Sequence, residues 1–133
     1  MNYRTVSKGQ ARSFSITVGL REGFQNDAPT HSIEELSEAV KSWIEEKVSK
    51  GASFLSGRLD RQEIIYGMNQ GFVTGESVGL FSGEVDPVRG VSLSDDIIVG
   101  LLNELADRLG ERTKQKQVYV RFKDSVWVRE GFE

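Results

Sequence analysis

The stretch Ser-Phe-Ser-Ile-Thr-Val-Gly-Leu at residues 13–20 alternates large apolar side chains with small ones at every second position. This period of two predicts a first β-strand that buries one face. Because the other face carries only small residues, another surface can pack closely on it. Residues 1–12 are polar and basic and are expected to form a flexible arm. The rest of the chain, residues 13–133, is long enough for one domain.

A helix is predicted next, between a clear start and a clear stop. Ser32 and Glu35 have the spacing of a capping box, and Gly51 can adopt the left-handed conformation that ends a helix. Apolar residues recur between them at helical spacing, which indicates one buried face. They are Ile33, Leu36, Val40, Trp43, Ile44 and Val48.

A hairpin is predicted after this helix, with strands at residues 53–66 and 72–85 around a turn at residues 67–71. In its second strand Gly75, Gly79 and Gly83 would share one face. Glycine is a poor strand former, so this repetition has two interpretations. The hairpin is either twisted and bulged, or it has a face that a ligand or a second subunit approaches closely.

The last third of the chain predicts a second helix and a final strand. Ser94 has the position of an N-cap, and Gly110 is predicted to end the helix. A basic connection at residues 111–116 leads to a strand at residues 117–122. Residues 126–128, Val-Trp-Val, predict an additional strand at the C-terminal edge of the sheet.

The order strand, helix, two strands, helix, strand predicts an α+β fold. Two βαβ units joined by a hairpin give the ferredoxin-like βαββαβ sandwich, with an antiparallel sheet in spatial order 4-1-3-2 and both helices on one face. In this topology three connections gather at one end of the sheet. They are the loop at residues 21–31, the turn at residues 67–71 and the basic connection at residues 111–116.

Composition excludes several classes of protein. The chain has 133 residues, with 17 Lys and Arg against 20 Asp and Glu, a formal charge of −3 that argues against a nucleic-acid partner. It has no cysteine, which excludes thiolate zinc sites and cysteine nucleophiles. No phosphate-loop or metal-ligand motif occurs, so no cofactor, no metal and no catalytic residue are predicted. No secretory signal or membrane-length apolar run is visible, which favours the cytoplasm and no membrane partner.

The basic connection faces the start of the first helix in the predicted topology, and both carry positive potential. We therefore predict a site for an anionic small molecule at this end of the sheet. His31, the single histidine, is expected to stay neutral there because the helix terminus disfavours its charged form. The candidate ligand-binding residues are Arg21, His31, Asn69, Arg112, Lys114 and Lys116.

The helix, the glycine-containing hairpin and the basic connection before the last strand together resemble the PII-like and CutA-like signalling proteins. The resemblance is one of topology and covers most of residues 14–128. It implies a ferredoxin-like chain that assembles into trimers, and for PII-like proteins a ligand site between subunits beneath the hairpin loop.

Three functional hypotheses follow. The favoured one is a self-associating, non-enzymatic binding or regulatory module that takes an anionic small molecule and forms a homo-oligomer. Its support is the second face of the sheet, lined by small residues and predicted to carry Tyr119, Trp127 and Phe132. The alternatives are an assembly or accessory protein without a small ligand, and a small enzyme acting on an anionic substrate.

Overall fold

A computed structural model of the chain describes residues 1–23 and 27–131. Within them the chain forms five strands, two α-helices and one 3₁₀ turn. In chain order they are β1 (Ser13–Gly19), α1 (Ile33–Ser49), β2 (Arg58–Gly67), β3 (Val73–Glu84), the 3₁₀ turn (Arg89–Ser92), α2 (Asp95–Thr113), β4 (Gln117–Phe122) and β5 (Ser125–Glu130).

The strands form one sheet in the order β2-β3-β1-β4-β5, and every neighbouring pair is antiparallel. The predicted α+β ferredoxin-like arrangement is therefore confirmed, including the additional edge strand beside β4. The register places Thr17 of β1 between Leu80 of β3 and Tyr119 of β4. Strand β2 begins at Arg58, so the predicted strand from residue 53 starts five residues too early.

Both helices cover one face of the sheet and enclose the core. The large residues of β1 lie at its centre, where Phe14, Ile16, Val18 and Leu20 are each 3% exposed or less. Side chains of both helices and of strands β3 and β4 pack around them. The most deeply buried of these are Leu36, Trp43, Ile98, Leu102, Leu105, Leu109 and Val120.

The predicted helix starts are confirmed by their caps. The Ser32 side chain accepts a hydrogen bond from the Glu35 backbone N–H at 3.2 Å, and Ser94 does the same for Ile97 at 3.2 Å. Gly51 has a φ of +65°, the left-handed conformation predicted at the end of α1. These ends form through contacts within a few residues, which is why the sequence predicted them.

The prediction that Gly110 ends α2 is wrong. The helix continues to Thr113 and stops at Lys114, whose φ of 53° is left-handed. Gly110 instead lies where α2 approaches β4, because a Cβ on it would come within 2.8 Å of Val118 Cγ2. Arg112 consequently belongs to the helix, and the connection to β4 shortens to residues 114–116.

The glycines of β3 serve the protein's own packing. A Cβ on Gly79 would collide with Leu36 Cδ1 of α1, and one on Gly83 would lie 3.0 Å from the Ser56 carbonyl oxygen. Of the two interpretations of the glycine pattern, close approach is supported at these positions. The surface that approaches is helix α1 and the segment before β2, not a ligand.

The sequence predicts Trp127 on the open face of the sheet, and this prediction is wrong. Trp127 pairs with buried Val120, and its indole N–H donates to Asn103 Oδ1 of α2 at 2.8 Å. The indole thus covers the edge of the core beneath the second helix. Tyr119, one position away in β4, is on the open face, and Phe132 lies outside the described residues.

The two glycines of α2 allow a matched test of the packing at Gly110. Gly100 faces open space, so Gly100→Ala is expected to stabilise the fold by about 0.5–1 kcal/mol through helix propensity. Gly110→Ala gains the same propensity but presses on Val118, a side chain whose β-branch restricts its rotation. We expect it to lower the free energy of unfolding by about 1–3 kcal/mol relative to Gly100→Ala.

Urea unfolding of the two variants measures this difference. Equal stabilisation by both substitutions would contradict the close approach of α2 to β4.

Candidate functional site

A cleft of about 1020 Å³ lies at the end of the sheet where the loop after β1 and the connection before β4 meet. Strand β1 ends at Gly19, whereas β3 extends beyond it and pairs there with β2 alone. This difference in length leaves a concave surface. Thr17 and Gly19 of β1 line it, together with Tyr66 of β2, Glu76 of β3 and Tyr119 of β4.

Gly19 allows two side chains to approach the backbone closely in this cleft. A Cβ on Gly19 would lie 2.5 Å from Gln115 Oε1 and 2.9 Å from Glu76 Oε1. The side chains of Glu76 and Gln115 therefore converge over a stretch of bare backbone. Among the described residues, the Glu76 carboxylate has neither a hydrogen-bond donor nor an ion-pair partner.

The cleft carries charges of both signs and two aromatic rings. Its cationic side chains are Arg21, Arg61, Lys114 and Lys116, and its acidic ones are Glu22, Glu63 and Glu76. Tyr66 is partly buried and Tyr119 is 52% exposed. Such a surface suits a ligand with a flat ring and both charges rather than a simple anion.

Three of the predicted ligand-binding residues come together in this cleft. Arg21 lies in the loop after β1, and Lys114 and Lys116 lie in the connection between α2 and β4. The two segments are joined directly, because the Gln115 side-chain N–H₂ donates to the Arg21 carbonyl oxygen at 2.6 Å. The structure thus brings these residues to one end of the sheet, and their role in binding a ligand stays a prediction.

The other three predicted residues lie outside the cleft lining. Asn69 is exposed in the β2–β3 turn. Arg112 extends from α2 toward α1, with Nη2 3.6 Å from Glu38 and Nε 3.9 Å from Glu35. His31 lies behind the loop, between two acidic side chains.

The prediction of a neutral His31 is wrong in direction. Its Nδ1 lies 2.5 Å from Glu35 and its Nε2 lies 2.8 Å from Glu22, and the side chain is only 15% exposed. The hydrogen bond to Glu35 is the largest effect and raises the pKa of His31 above its usual 6.5; burial opposes it, and Glu22 adds to it. Two adjacent carboxylates outweigh the helix terminus, so His31 fastens the loop after β1 to helix α1.

The cluster of His31, Glu22 and Glu35 is not arranged to bind a metal ion. Both ring nitrogens of His31 are engaged by carboxylates. Across residues 1–23 and 27–131, no group of three or more His, Asp or Glu side chains is arranged to hold a metal ion. In the same residues no helix is long and apolar enough to cross a membrane.

Sequence reasoning missed Tyr66, Glu76 and Gln115 as cleft residues. Tyr66 and Glu76 each lie in a predicted strand, and the pairing of Tyr66 with Thr74 puts them on the same face. Alternation along the two strands predicts that these side chains share a face of the sheet. It does not show which of the two faces the helices leave uncovered. Gln115 gave no signal, since its neighbours Lys114 and Lys116 dominated the charge pattern.

Comparison with known proteins links this fold to one solved enzyme. Neither a protein-family model nor a curated protein matches the sequence. The structure is similar to a phage SAM lyase in complex with S-methyl-5′-thioadenosine, with a TM-score of 0.67 and 24% identity over 98% of this chain and 97% of that chain. A phage SAM lyase in the apo state matches with a TM-score of 0.66 and 22% identity over the same shares.

These similarities establish the class of fold, a small α+β sandwich shared over 98% of this chain and 97% of the matched chains. The fold is also compatible with the resemblance to PII-like and CutA-like proteins, which these matches do not confirm.

His31 is the single histidine of the chain, so its titration can be followed directly by proton NMR. We expect a pKa above 6.5, which Glu35→Gln lowers more than Glu22→Gln does, because Glu35 makes the larger contribution. Since the pKa is raised on folding, the ion pairs stabilise the fold fully below about pH 6.5, and this contribution is lost as pH rises through the folded pKa.

His31→Gln is the matched control for the effect on stability. Its free energy of unfolding should fall below that of the parent chain at pH 6 by more than at pH 9. A difference independent of pH would contradict the ionic role of His31.

Proposed function

We propose that this protein is a lyase that cleaves S-adenosylmethionine and releases S-methyl-5′-thioadenosine, with the cleft at the end of the sheet as its active site. The observation that carries the proposal is the unpartnered Glu76 carboxylate over Gly19, in a cleft that also holds cations and aromatic rings. The similarity over 98% of the chain to a phage SAM lyase supports it. This proposal corresponds to the small-enzyme alternative of the sequence analysis.

The chemical groups of S-adenosylmethionine correspond to the groups of the cleft. The adenine ring needs a flat apolar contact, which Tyr66 or Tyr119 offers. The substrate carboxylate needs a cation, and Arg21, Lys114 and Lys116 lie at the rim. The ammonium group needs negative charge, which Glu76 supplies.

The reaction breaks the bond between the sulfonium sulfur and the adjacent carbon of the amino-acid chain. The bonding electron pair goes to sulfur, which becomes the neutral thioether of S-methyl-5′-thioadenosine. In a lyase no water is added, so the new bond to this carbon forms within the substrate: an oxygen of the substrate carboxylate donates an electron pair to the carbon as the carbon–sulfur bond breaks. The product is a five-membered lactone, and no proton is gained or lost. The tasks left to this protein are to hold the substrate in a reactive conformation and to exclude water.

A non-enzymatic module that binds the same molecule is the competing interpretation. It predicts binding without turnover. The distinction therefore rests on a product assay, not on affinity.

Incubation with S-adenosylmethionine should give S-methyl-5′-thioadenosine, detected by chromatography and mass spectrometry. Glu76→Gln keeps the shape of the side chain but removes its charge, and we expect it to lower kcat/KM about 10-fold or more, because the ammonium group of the substrate loses its ionic partner. Glu84→Gln is the matched control, since Glu84 lies on the same face of β3 at the far end and outside the cleft.

Glu84→Gln should retain the parent rate, and both variants should unfold at temperatures close to the parent's. Absence of product from the parent protein at all substrate concentrations would overturn the proposed reaction.

We also propose that the protein forms homo-oligomers. Apolar side chains are exposed at the tip of the β2–β3 hairpin, where Ile65, Phe72 and Val73 are 66%, 53% and 70% exposed. The outer edge strand β5 adds Val126 and Val128, at 58% and 44%. Exposed edges and apolar tips of this kind favour association with another chain.

Sedimentation of the protein at tens of micromolar is expected to give the mass of two or more chains of 14.9 kDa each. Phe72→Ser combined with Val73→Ser should reduce that mass if the hairpin tip forms the contact. A 14.9 kDa species from the parent protein would contradict self-association.

A further inference from the structure

The side-chain amide of Gln115 is held in one orientation. Its nitrogen lies 2.6 Å from the Arg21 carbonyl oxygen and 3.3 Å from the Thr113 carbonyl oxygen. Both neighbours can only accept hydrogen bonds, so the N–H₂ group must face them. The oxygen Oε1 is consequently directed the other way, into the cleft, and cannot exchange places with the nitrogen without losing both bonds.

This oxygen meets a second acceptor above Gly19. The position that a Cβ on Gly19 would occupy lies 2.5 Å from Gln115 Oε1 and 2.9 Å from Glu76 Oε1. The two oxygens come from opposite sides of the cleft, one from the connection before β4 and one from strand β3. Both are therefore within hydrogen-bond reach of one ligand group placed over the bare backbone.

Two acceptors, one of them a carboxylate, select for a particular kind of ligand group. A carboxylate or phosphate would be repelled by Glu76. A sulfonium has no N–H to donate to either oxygen. A primary ammonium group has a positive charge and three N–H donors, so it satisfies both oxygens at once.

We propose that Gln115, Glu76 and Gly19 form a subsite for the primary ammonium group of the substrate. The subsite rests on the proposed function and adds to it a basis for specificity. Gln115 is its specificity-determining residue, because it separates amine-bearing adenosyl compounds from S-methyl-5′-thioadenosine, which lacks the amine. Gly19 is required because a Cβ there would lie 2.5 Å from Gln115 Oε1 and 2.9 Å from Glu76 Oε1 and would push both oxygens away from the ammonium group.

Binding of three unreactive ligands tests the subsite without relying on turnover. S-adenosylhomocysteine carries the amine and a carboxylate, S-adenosyl-3-thiopropylamine carries the amine alone, and S-methyl-5′-thioadenosine carries neither. Gln115→Leu removes the acceptor oxygen together with the amide nitrogen and leaves a side chain one atom shorter. It should weaken both amine-bearing ligands about 10-fold or more in calorimetric titration, the loss of one hydrogen bond to a charged group, and leave S-methyl-5′-thioadenosine unchanged.

Gly19→Ala is a second, independent variant. Its methyl group would lie closer than van der Waals contact to both oxygens and would displace them, so it should cause the same selective loss. Gly67→Ala is its matched control, because Gly67 ends β2, faces open space and lies outside the cleft lining. This control should bind all three ligands as the parent does.

The outcomes separate the subsite from the proposed function. If the parent protein binds none of the three ligands, the proposed function itself fails. If it binds them and Gln115→Leu affects no ligand, the cleft is retained but the ammonium subsite is wrong. If Gln115→Leu weakens all three ligands equally, Gln115 only supports the loop at Arg21, and the subsite is again overturned.

Discussion

Burial of the large side chains of β1 is the constraint on which the rest of this structure depends. The strand lies between β3 and β4, and Phe14, Ile16, Val18 and Leu20 are almost completely removed from water. Each such side chain contributes about 1.5–3 kcal/mol when it is fully buried. The helices cover this strand by packing closely on its two neighbours, α1 on β3 at Gly79 and α2 on β4 at Gly110.

The same arrangement creates the cleft. Because both helices cover one face, the opposite face of β1 presents only Ser13, Ser15, Thr17 and Gly19. Strand β3 is longer than β1, so its first residues continue beyond the core and form a wall with β2. The loop and the connection that complete the cleft are fastened by polar contacts, namely His31 with two carboxylates and Gln115 with the Arg21 carbonyl. A hydrophobic core on one face thus supports a polar site on the other.

Particular residues show which parts of this architecture were predictable. The caps at Ser32 and Ser94 and the alternation in β1 depend on neighbours in the chain, and these predictions were correct. Gly110 was misread because a glycine required for close packing and one required for a left-handed stop look identical in sequence. Trp127 was assigned to the wrong face because the phase of an edge strand depends on its register with β4. The charge of His31 depends on Glu22 and Glu35, which only the folded chain brings to both ring nitrogens, whereas the sequence shows the helix terminus alone.

The sequence by itself determined the order of the elements, the helix N-caps and the buried face of β1. It also determined the cluster of cations that precedes β4. These properties come from hydrophobic periodicity and from contacts within a few residues. Only the tertiary structure decided that Glu76 and Gln115 converge over Gly19 and that Arg21 lies beside the connection before β4. The physical reason is distance along the chain: Gln115 and Arg21 are 94 positions apart. Their contact exists only after strand register, helix length and loop attachment have been set together.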